Sequence, residues 1–374
     1  MANIYLDYAA TSRKHFDIIE KNLDILKEIY ANPSSGHTLG KKNEKLFREA
    51  REKIAKSICA KPEEIIFTSG GTESNNTVFN HVLNRFAGGE IIISSIEHPS
   101  VKSSAKHLEK YGFIVHELSV DKTGIIDLEE LRQKINDKTV LVSIMLANNE
   151  TGMINPLKEI SEIIKGKNVL LHSDIVQAFG KVEIDVSNLN LDFASVSAHK
   201  IGALNNFGFL YAKNGEVEPF ILGGGQEHGL RSGTGDLLGT LVLADCVDKT
   251  LKSISKLREL KNYFLDKLEE NQVEFEINGL KDNSLPNIMN IYFKKIESQR
   301  LITYLDSLNI YISGGSACSS GNIKGSRIIT EMYDIERASH SVRISIGFDI
   351  TKKDLNFVVD KIVRLENRLK ERDN

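Results

Sequence analysis

Short apolar runs alternate with helix-length amphipathic segments from Ile65 to Tyr211, and this rhythm constrains the fold more than any other feature of the sequence. Seven such runs occur: IIFT, IIISS, IVHEL, VLVSIML, VLLHSD, FASVSAH and FGFLYA. Buried parallel strands have this apolar character, and crossover helices have the intervening length. The pattern predicts an α/β fold with a mostly parallel seven-stranded sheet.

The pattern changes after a long helical stretch from about Leu237 to Glu270. Strand-like EFEING and NIMNIYF, a loop rich in Gly and Ser, VRISIG and a charged terminal helix follow, which is typical of a smaller α+β unit. A chain of 374 residues has room for about two domains. We assign residues 14–255 to a large domain, and residues 1–13 with 256–374 to a small domain.

Composition excludes several classes of protein. The formal net charge is only -3, which favours neither direct nucleic-acid binding nor an anionic membrane surface. No apolar run approaches the roughly 20 residues of a membrane span, and the N-terminus lacks the order of a signal peptide, so we expect a cytoplasmic protein. Cys59, Cys246 and Cys318 form no CxxC pair and no disulfide framework. We expect no metal site.

Polar residues cluster just after the predicted strands, where open α/β sheets bind ligands. FTSGGTESNN places Gly71 and Thr72 between a strand and a helix, where backbone N–H groups and a hydroxyl suit a phosphate. Asp174 ends a strand and Gln177 follows three residues later. Such a carboxylate can keep a pyridine nitrogen protonated, and the amide can reach a ring oxygen. Both strings also fit ordinary capped turns.

Lys200 follows a strand in SVSAHKIG and can form a Schiff base if its surroundings favour the neutral amine. Ser197 and His199 beside it can bind phosphate. His98 in SIEHPSV can stack on a ring, and Asn149 in LANNETG can bond a cofactor oxygen or a substrate carboxylate. Taken singly, each also fits a solvated, capping or turn residue. The order of phosphate loop, stacker, acid and lysine favours a pyridoxal phosphate site.

Ten motifs along nearly the whole chain resemble, in order and spacing, those of cysteine desulfurases of the NifS/IscS type. They are YLDYAAT, NPSSGH, FTSGGTESNN, EHPSV, ANNETG, HSDIVQAFGK, SVSAHK, GGGQEHGLRSGT, SGGSACSSG and VRISIG. The resemblance implies the fold-type I (class V) aminotransferase architecture and the cofactor pyridoxal 5'-phosphate (PLP). It assigns Lys200 to the covalent link with PLP, His98 to ring stacking, Asp174 to the ring nitrogen and Gln177 to the phenolic oxygen.

The same resemblance implies the remaining binding groups. Three side chains match the family's phosphate ligands: Thr72, Ser197 and His199. Thr234 in RSGT matches the residue that reaches the neighbouring subunit's phosphate, which implies a homodimer. Three more match the groups that hold the carboxylate of L-cysteine: Asn32, Asn149 and Arg343. A guanidinium suits a carboxylate because it can bond both oxygens.

Cys318 lies in SGGSACSSGN, a loop of small residues whose thiol could swing between the cofactor and an acceptor. An inert loop cysteine fits the same string. The resemblance, to the family's long-loop class, implies that Cys318 takes sulfur from L-cysteine as a persulfide, with Lys200 and His98 as the other catalytic residues. A protein acceptor then receives the sulfur, and the sequence does not identify it: an iron-sulfur scaffold, a tRNA-thiolation protein and another carrier all stay open. Cys59 and Cys246 are predicted core residues.

Three strings depart from the family pattern. The family usually has HKxxGPxG where this chain has HKIGALNNFG, so we expect a different loop after Lys200. NIKGSRIITEMY lacks the usual proline, and RLKERDN lacks the longer tail by which some relatives bind a scaffold protein. The alternatives are selenocysteine lysis or another class V reaction, and an inactive desulfurase-like scaffold subunit. Cys318 argues against transamination, and the retained cofactor residues argue against an inactive subunit.

Overall fold

The computed structural model describes residues 3–315 and 325–373, so Cys318 lies outside the described residues. The strands are β1 (Ile4–Tyr5), β2 (Ile65–Thr68), β3 (Gly89–Ser94), β4 (Phe113–Leu118), β5 (Thr139–Ser143), β6 (Leu170–Asp174), β7 (Phe193–Ser197), β8 (Gly208–Ala212), β9 (Phe275–Ile277), β10 (Ile288–Phe293), β11 (Ile310–Tyr311) and β12 (Ser341–Ser345). The α-helices are α1 (Phe16–Glu28), α2 (Thr38–Lys56), α3 (Gly71–Arg85), α4 (Pro99–Leu108), α5 (Leu128–Lys134), α6 (Leu157–Ile164), α7 (Leu237–Leu251), α8 (Ile254–Glu270), α9 (Ser298–Asp306), α10 (Arg327–Met332), α11 (Ile335–Ser339) and α12 (Lys352–Asp373).

Strands β2 to β8 form one seven-stranded sheet in the order β2-β8-β7-β6-β5-β3-β4. Strand β8 is antiparallel to β2 and β7, and the other neighbouring strands are parallel. Each of the seven predicted apolar runs contributes one of these strands. The prediction of a mostly parallel seven-stranded sheet is therefore confirmed.

Helices cover both faces of this sheet. Along β3, Ile92 belongs to a core shared with α1, α2 and α7, whereas Ile91 and Ile93 belong to a core shared with α3 and α4. Successive side chains of a strand point to opposite faces, so one apolar strand supplies both cores. This packing explains why the runs are continuously apolar instead of alternating.

A second, smaller sheet forms after α8. Strands β12, β10 and β9 pair antiparallel in that order, and a separate core joins them to α8, α9 and α12. The N-terminal strand also belongs here, because β1 pairs in parallel with β11 and Leu6 lies in the same core. The proposed domain boundaries at 13/14 and 255/256 stay a prediction. No helix in the described ranges is long and apolar enough to cross a membrane.

The prediction that Cys59 is a core residue is wrong. Helix α2 ends at Lys56, and Cys59 lies in the turn beyond it with φ +57°, where its side chain is exposed. Ile58 takes the buried position in that turn. Cys246, inside α7, is buried as predicted, and burial raises the pKa of its thiol to about 12.

Candidate active site

A cavity of about 620 Å³ opens at the carboxyl ends of the central strands. Asp174 is the last residue of β6 and Ser197 is the last residue of β7, and both line it. Ten residues predicted for the site line this cavity together: Gly71, Thr72, His98, Asn149, Asp174, Gln177, Ser197, His199, Lys200 and Arg343. The large sheet supplies most of these residues and β12 of the small sheet supplies Arg343, so the fold brings together residues up to 272 positions apart in the sequence, from Gly71 to Arg343.

The turn between β2 and α3 forms a close-fitting cradle at one side of the cavity. Gly70 has φ +136°, and a Cβ added at Gly71 would lie 2.8 Å from Cγ2 of Val176. A side chain at Gly71 would therefore collide with the opposite wall. The first N–H groups of a helix have no partners within the helix, and Thr72 and Ser197 add hydroxyls. This arrangement suits a small anion such as phosphate.

Asp174 presents a buried carboxylate to the cavity. Asn75 Nδ2 donates to its Oδ2 at 2.9 Å, and the Val176 backbone N–H donates to its Oδ1 at 3.0 Å. Asn75 lies on α3 and was not singled out from the sequence. Each carboxylate oxygen has a second lone pair, so Asp174 can still accept a hydrogen bond from a protonated ring nitrogen.

His98 both caps α4 and lines the cavity. The Ser100 backbone N–H donates to its Nδ1 at 3.2 Å, and Ser100 Oγ lies 2.7 Å from the same nitrogen. Burial is the main cause that lowers the pKa of His98, and Lys200 lowers it further while Asp174 opposes the shift. This shift favours the neutral ring. Two tautomers fit these contacts. If Nδ1 accepts the Ser100 N–H, the ring proton lies on Nε2, and if Nδ1 carries the proton, it donates to Ser100 Oγ.

Lys200 is held against the N-terminal segment of the chain. Its Nζ donates to the carbonyl oxygens of Ala9 and Ala10, both at 2.7 Å, and its own carbonyl accepts from Ser12 Oγ at 2.7 Å. Ala9, Ala10 and Thr11 also line the cavity. The sequence shows YLDYAAT as a motif, but no residue in it was given a role.

His199 lies beside Lys200 as a neutral ring. Burial is the main cause that lowers the pKa of His199 to about 3, and the cations Lys200, Lys14 and Lys181 contribute to this shift. Its Nδ1 lies 3.1 Å from Thr11 Oγ1. A neutral imidazole can act as a hydrogen-bond donor to an anion without adding a second buried charge next to Lys200.

Arg343 brings a buried guanidinium from β12 to the cavity. Its NH2 donates to Asp7 Oδ1 at 2.7 Å, and its NH1 donates to the Asn149 carbonyl at 3.0 Å. Its Nε has no hydrogen-bond partner among the described residues, although it is fully buried. Asp7 is a further residue that the sequence did not identify. The ion pair holds the guanidinium in place and leaves donor capacity for a carboxylate.

Two predicted residues do not reach this cavity in the single chain. Asn32 lies in an exposed turn before α2, where its Oδ1 accepts from the Ser34 N–H at 2.9 Å. Thr234 is exposed in the segment before α7. Arg231 in the same segment forms an ion pair with Glu73 on α3 at 2.9 Å, which connects this segment to the helix that follows the cradle between β2 and α3. The predicted role of Thr234 toward a neighbouring subunit stays a prediction.

The described residues on both sides of the segment 316–324 contact the site. The Ser313 N–H donates to the Arg343 carbonyl at 3.2 Å, and Ser326 Oγ donates to the Glu150 carboxylate, next to Asn149. The predicted catalytic residue Cys318 itself lies outside the described residues.

The unusual string after Lys200 contributes two side chains to the cavity. Asn205 and Asn206 line it, and Lys14 Nζ donates to Asn205 Oδ1 at 2.7 Å. Within the described ranges, no group of three or more His, Cys, Asp or Glu side chains is arranged to hold a metal ion.

Comparisons with known proteins identify the family of this chain. Residues 4–358 match the family Aminotransferase class-V. A protein of Dictyoglomus turgidum named cysteine desulfurase IscS is 38% identical over 375 residues, which cover 98% of this chain and 95% of that protein. A solved structure named NifS-like protein has a TM-score of 0.90 and 32% identity over 98% of this chain and 100% of that one.

A second solved structure, of SspA in complex with cysteine, has a TM-score of 0.82 and 31% identity. It covers 92% of this chain and 98% of that one. With a family match and relatives of this similarity over nearly their whole length, the chain belongs to the class-V aminotransferases and, within them, to the cysteine desulfurases of the NifS/IscS type.

Proposed function

We propose that this protein removes the sulfur of L-cysteine, releases L-alanine and keeps the sulfur as a persulfide on Cys318. The observation that supports this most strongly is the single cavity in which Lys200, Asp174, His98 and Arg343 meet. Relatives that carry the name cysteine desulfurase, and a neighbour solved with cysteine, support the same reaction.

The cofactor in this proposal is PLP, and the residues present fit it. The cradle at Gly71, where a Cβ would collide with Val176, leaves backbone room for a phosphate, and the phosphate ligands would be Thr72, Ser197 and His199. The buried Asp174 carboxylate suits a protonated ring nitrogen. When bound, PLP supplies an electron sink for the bonding electrons released at the substrate's α-carbon.

Lys200 would hold the cofactor covalently and, once substrate binds, would take the proton from the α-carbon. Asp174 would keep a proton at the ring nitrogen, and Gln177 would donate an N–H to the ring oxygen. Arg343 and Asn149 would hold the substrate carboxylate. Since a bidentate guanidinium fixes both position and orientation, this arrangement presents the α-proton to Lys200.

In sulfur transfer, one thiol and one L-cysteine give one persulfide and one L-alanine. The Cys318 thiolate attacks the substrate sulfur, so an S–S bond forms as the Cβ–S bond breaks. The bond pair stays with the carbon, which takes up a proton to become the methyl group. We propose that His98 Nε2 accepts the thiol proton in the tautomer whose Nδ1–H donates to Ser100 Oγ, which replaces the hydrogen bond from the Ser100 backbone N–H to Nδ1.

The proposal includes a homodimer, because Thr234 would complete the phosphate site of a neighbouring subunit. It also includes a protein acceptor for the persulfide sulfur, without naming that acceptor. The cytoplasm suits this chemistry since thiols stay reduced there.

Replacing Cys318 with Ser tests the proposal by separating cofactor chemistry from sulfur transfer. Binding of L-cysteine to the loaded protein does not need the Cys318 thiol, whereas the persulfide does. Cys318→Ser should still change the visible spectrum on adding L-cysteine, but should form no protein persulfide and release almost no alanine. Alanine and sulfide at near wild-type rate from this variant would contradict the role of Cys318.

Two further Cys-to-Ser variants serve as controls. Cys59→Ser changes an exposed residue, and Cys246→Ser changes a buried one, so they should leave persulfide yield unchanged. Cys246→Ser should lower the free energy of unfolding by roughly 1 to 2 kcal/mol, as is usual for one polar atom introduced into a core.

A further inference from the structure

A buried lysine lies next to the cavity without a role in the reaction proposed above. Lys181 follows β6, is only 5% exposed, and pairs with no carboxylate among the described residues. Its Nζ donates to Gln177 Oε1 at 3.2 Å. Lysine is rarely buried unless it is paired, so this position needs a specific explanation.

The Gln177 amide is held at both ends. Its Nε2 donates to the Ala9 carbonyl at 2.9 Å, while its Oε1 accepts from Lys181. A carbonyl can only accept, and a lysine ammonium can only donate. The Ala9 carbonyl therefore excludes the flipped amide, and the Lys181 ammonium favours the same orientation. Because an amide nitrogen carries two hydrogens, Gln177, which lines the cavity, has a second N–H for a bound group.

The same carbonyl also accepts from Lys200 Nζ at 2.7 Å. Lys181, Gln177, Ala9 and Lys200 thus form one continuous chain of hydrogen bonds. Burial and, to a smaller extent, the nearby cations Lys200 and Arg343 lower the pKa of Lys181 to about 7. A lysine amine has N–H groups in both protonation states, so it can donate to Gln177 in either.

We propose that Lys181 is a positioning residue that holds the Gln177 amide with its N–H directed to the cofactor. The inference rests on the proposed PLP cofactor but not on the fate of the sulfur. Loss of this donor from an oxygen that gives up a proton should raise the apparent pKa of the bound cofactor. It should also weaken PLP binding by about two- to tenfold, the range for one neutral hydrogen bond.

The chain offers a matched control for Lys181. Lys261 on α8 is similarly buried, at 4% exposure, and donates to Ser284 Oγ and the Leu285 carbonyl outside the cavity. Lys181→Met and Lys261→Met therefore remove the same buried group with its hydrogen bonds. Only Lys181→Met should change the pH titration and the binding of the cofactor.

The experiment is a pH titration of the visible absorbance of PLP-loaded protein, together with the PLP dissociation constant. Lys181→Met should shift the titration in the same direction as Gln177→Ala, and Lys261→Met should not. The double variant should titrate like Gln177→Ala alone, because Lys181 acts through that amide. An unshifted Lys181→Met, or fully additive shifts, would overturn the inference.

Lys181→Arg keeps a donor and should retain the wild-type titration. Lys181→Arg is the second variant if Lys181→Met does not fold. A titration shift in Lys181→Arg as large as that of Gln177→Ala would also overturn the inference. If wild-type protein bound no PLP, the proposed function itself would fail, and this outcome differs from normal binding with an unshifted Lys181→Met.

Discussion

Arg343 is the largest fully buried side chain of the described residues, and its charge is compensated by Asp7. Removing one member of a buried ion pair typically costs about 3–5 kcal/mol, because the other charge is left uncompensated. Any test of Arg343 in substrate binding must therefore keep its charge. Arg343→Lys meets this condition, since lysine retains the cation but loses the planar fork.

Arg343→Lys should raise KM for L-cysteine and lower kcat/KM by roughly 10- to 100-fold, the range for one charge-assisted hydrogen bond. Steady-state kinetics with alanine detection measures this effect. Arg337→Lys is the control, because Arg337 pairs with Glu276 and does not line the cavity. Equal losses in both variants would mean that Arg343 has no specific role toward the substrate.

Lys200 should be the residue that carries PLP. Borohydride treatment of the loaded protein should fix the cofactor on one lysine, and peptide mapping should identify Lys200. Lys181 is the most informative competitor, since it is buried near the same cavity and its pKa is lowered to about 7. Label on Lys181 instead of Lys200 would overturn the cofactor assignment.

Single residues show what the sequence could and could not predict about the site. For His98, the capping interpretation and the cavity interpretation both hold, because its Nδ1 accepts the Ser100 backbone N–H and its ring lines the cavity. Asp174 lines the cavity too, but it accepts the Val176 N–H in a turn where no helix begins, so the prediction of a helix cap there is wrong. Asp7 and Asn75 were missed. Their contacts span 336 and 99 residues, and no local pattern reveals such partners.

At the scale of elements, strand β6 contains a buried histidine that makes the sheet sensitive to acid. His172 lies between neighbouring strands, with Nδ1 2.7 Å from Ser143 Oγ and Nε2 3.0 Å from Ser195 Oγ. Burial lowers the pKa of His172 from 6.5 to about 3. In the unfolded chain, His172 binds a proton below about pH 6.5, whereas in the folded chain it binds one only near pH 3. The free energy of unfolding therefore falls as the pH falls through this window.

Replacing His172 should reduce this loss of stability. His172→Gln should lower the free energy of unfolding at pH 7 by about 1–3 kcal/mol, yet show a pH slope shallower by up to about 1.4 kcal/mol per pH unit between pH 6.5 and 4. Urea unfolding at several pH values measures both quantities. The same substitution at exposed His107 controls for the loss of a histidine. A slope identical to wild type would contradict this account.

The sequence predicted elements better than it predicted their long-range pairing. All seven strands of the large sheet follow from apolar runs, and in the inner strands burial on both faces makes this local signal clear. The pairing of β1 with β11 could not be predicted from local patterns, because each strand has only two residues and the two strands lie about 300 positions apart. That pairing carries residues 9–12 to Lys200, so this wall of the cavity could not be predicted locally.

At the scale of the whole molecule, the proposed dimer makes each site depend on two chains. Thr234→Ala should lower activity through weaker PLP binding, and Lys200→Ala should abolish turnover. Mixed dimers of these two variants should regain activity, because one of their two sites has both Lys200 and the neighbouring subunit's Thr234. Absence of such recovery, or a fully active monomer in sedimentation, would contradict the shared site.

The central claim is that sulfur leaves L-cysteine for Cys318 as L-alanine forms. A single-turnover reaction of PLP-loaded protein with L-cysteine, without added thiol, tests it most directly when alanine and protein persulfide are measured in the same sample. We predict equal amounts of both, with the persulfide mapped to Cys318. Alanine without protein persulfide, or neither product from PLP-loaded protein, would contradict the claim.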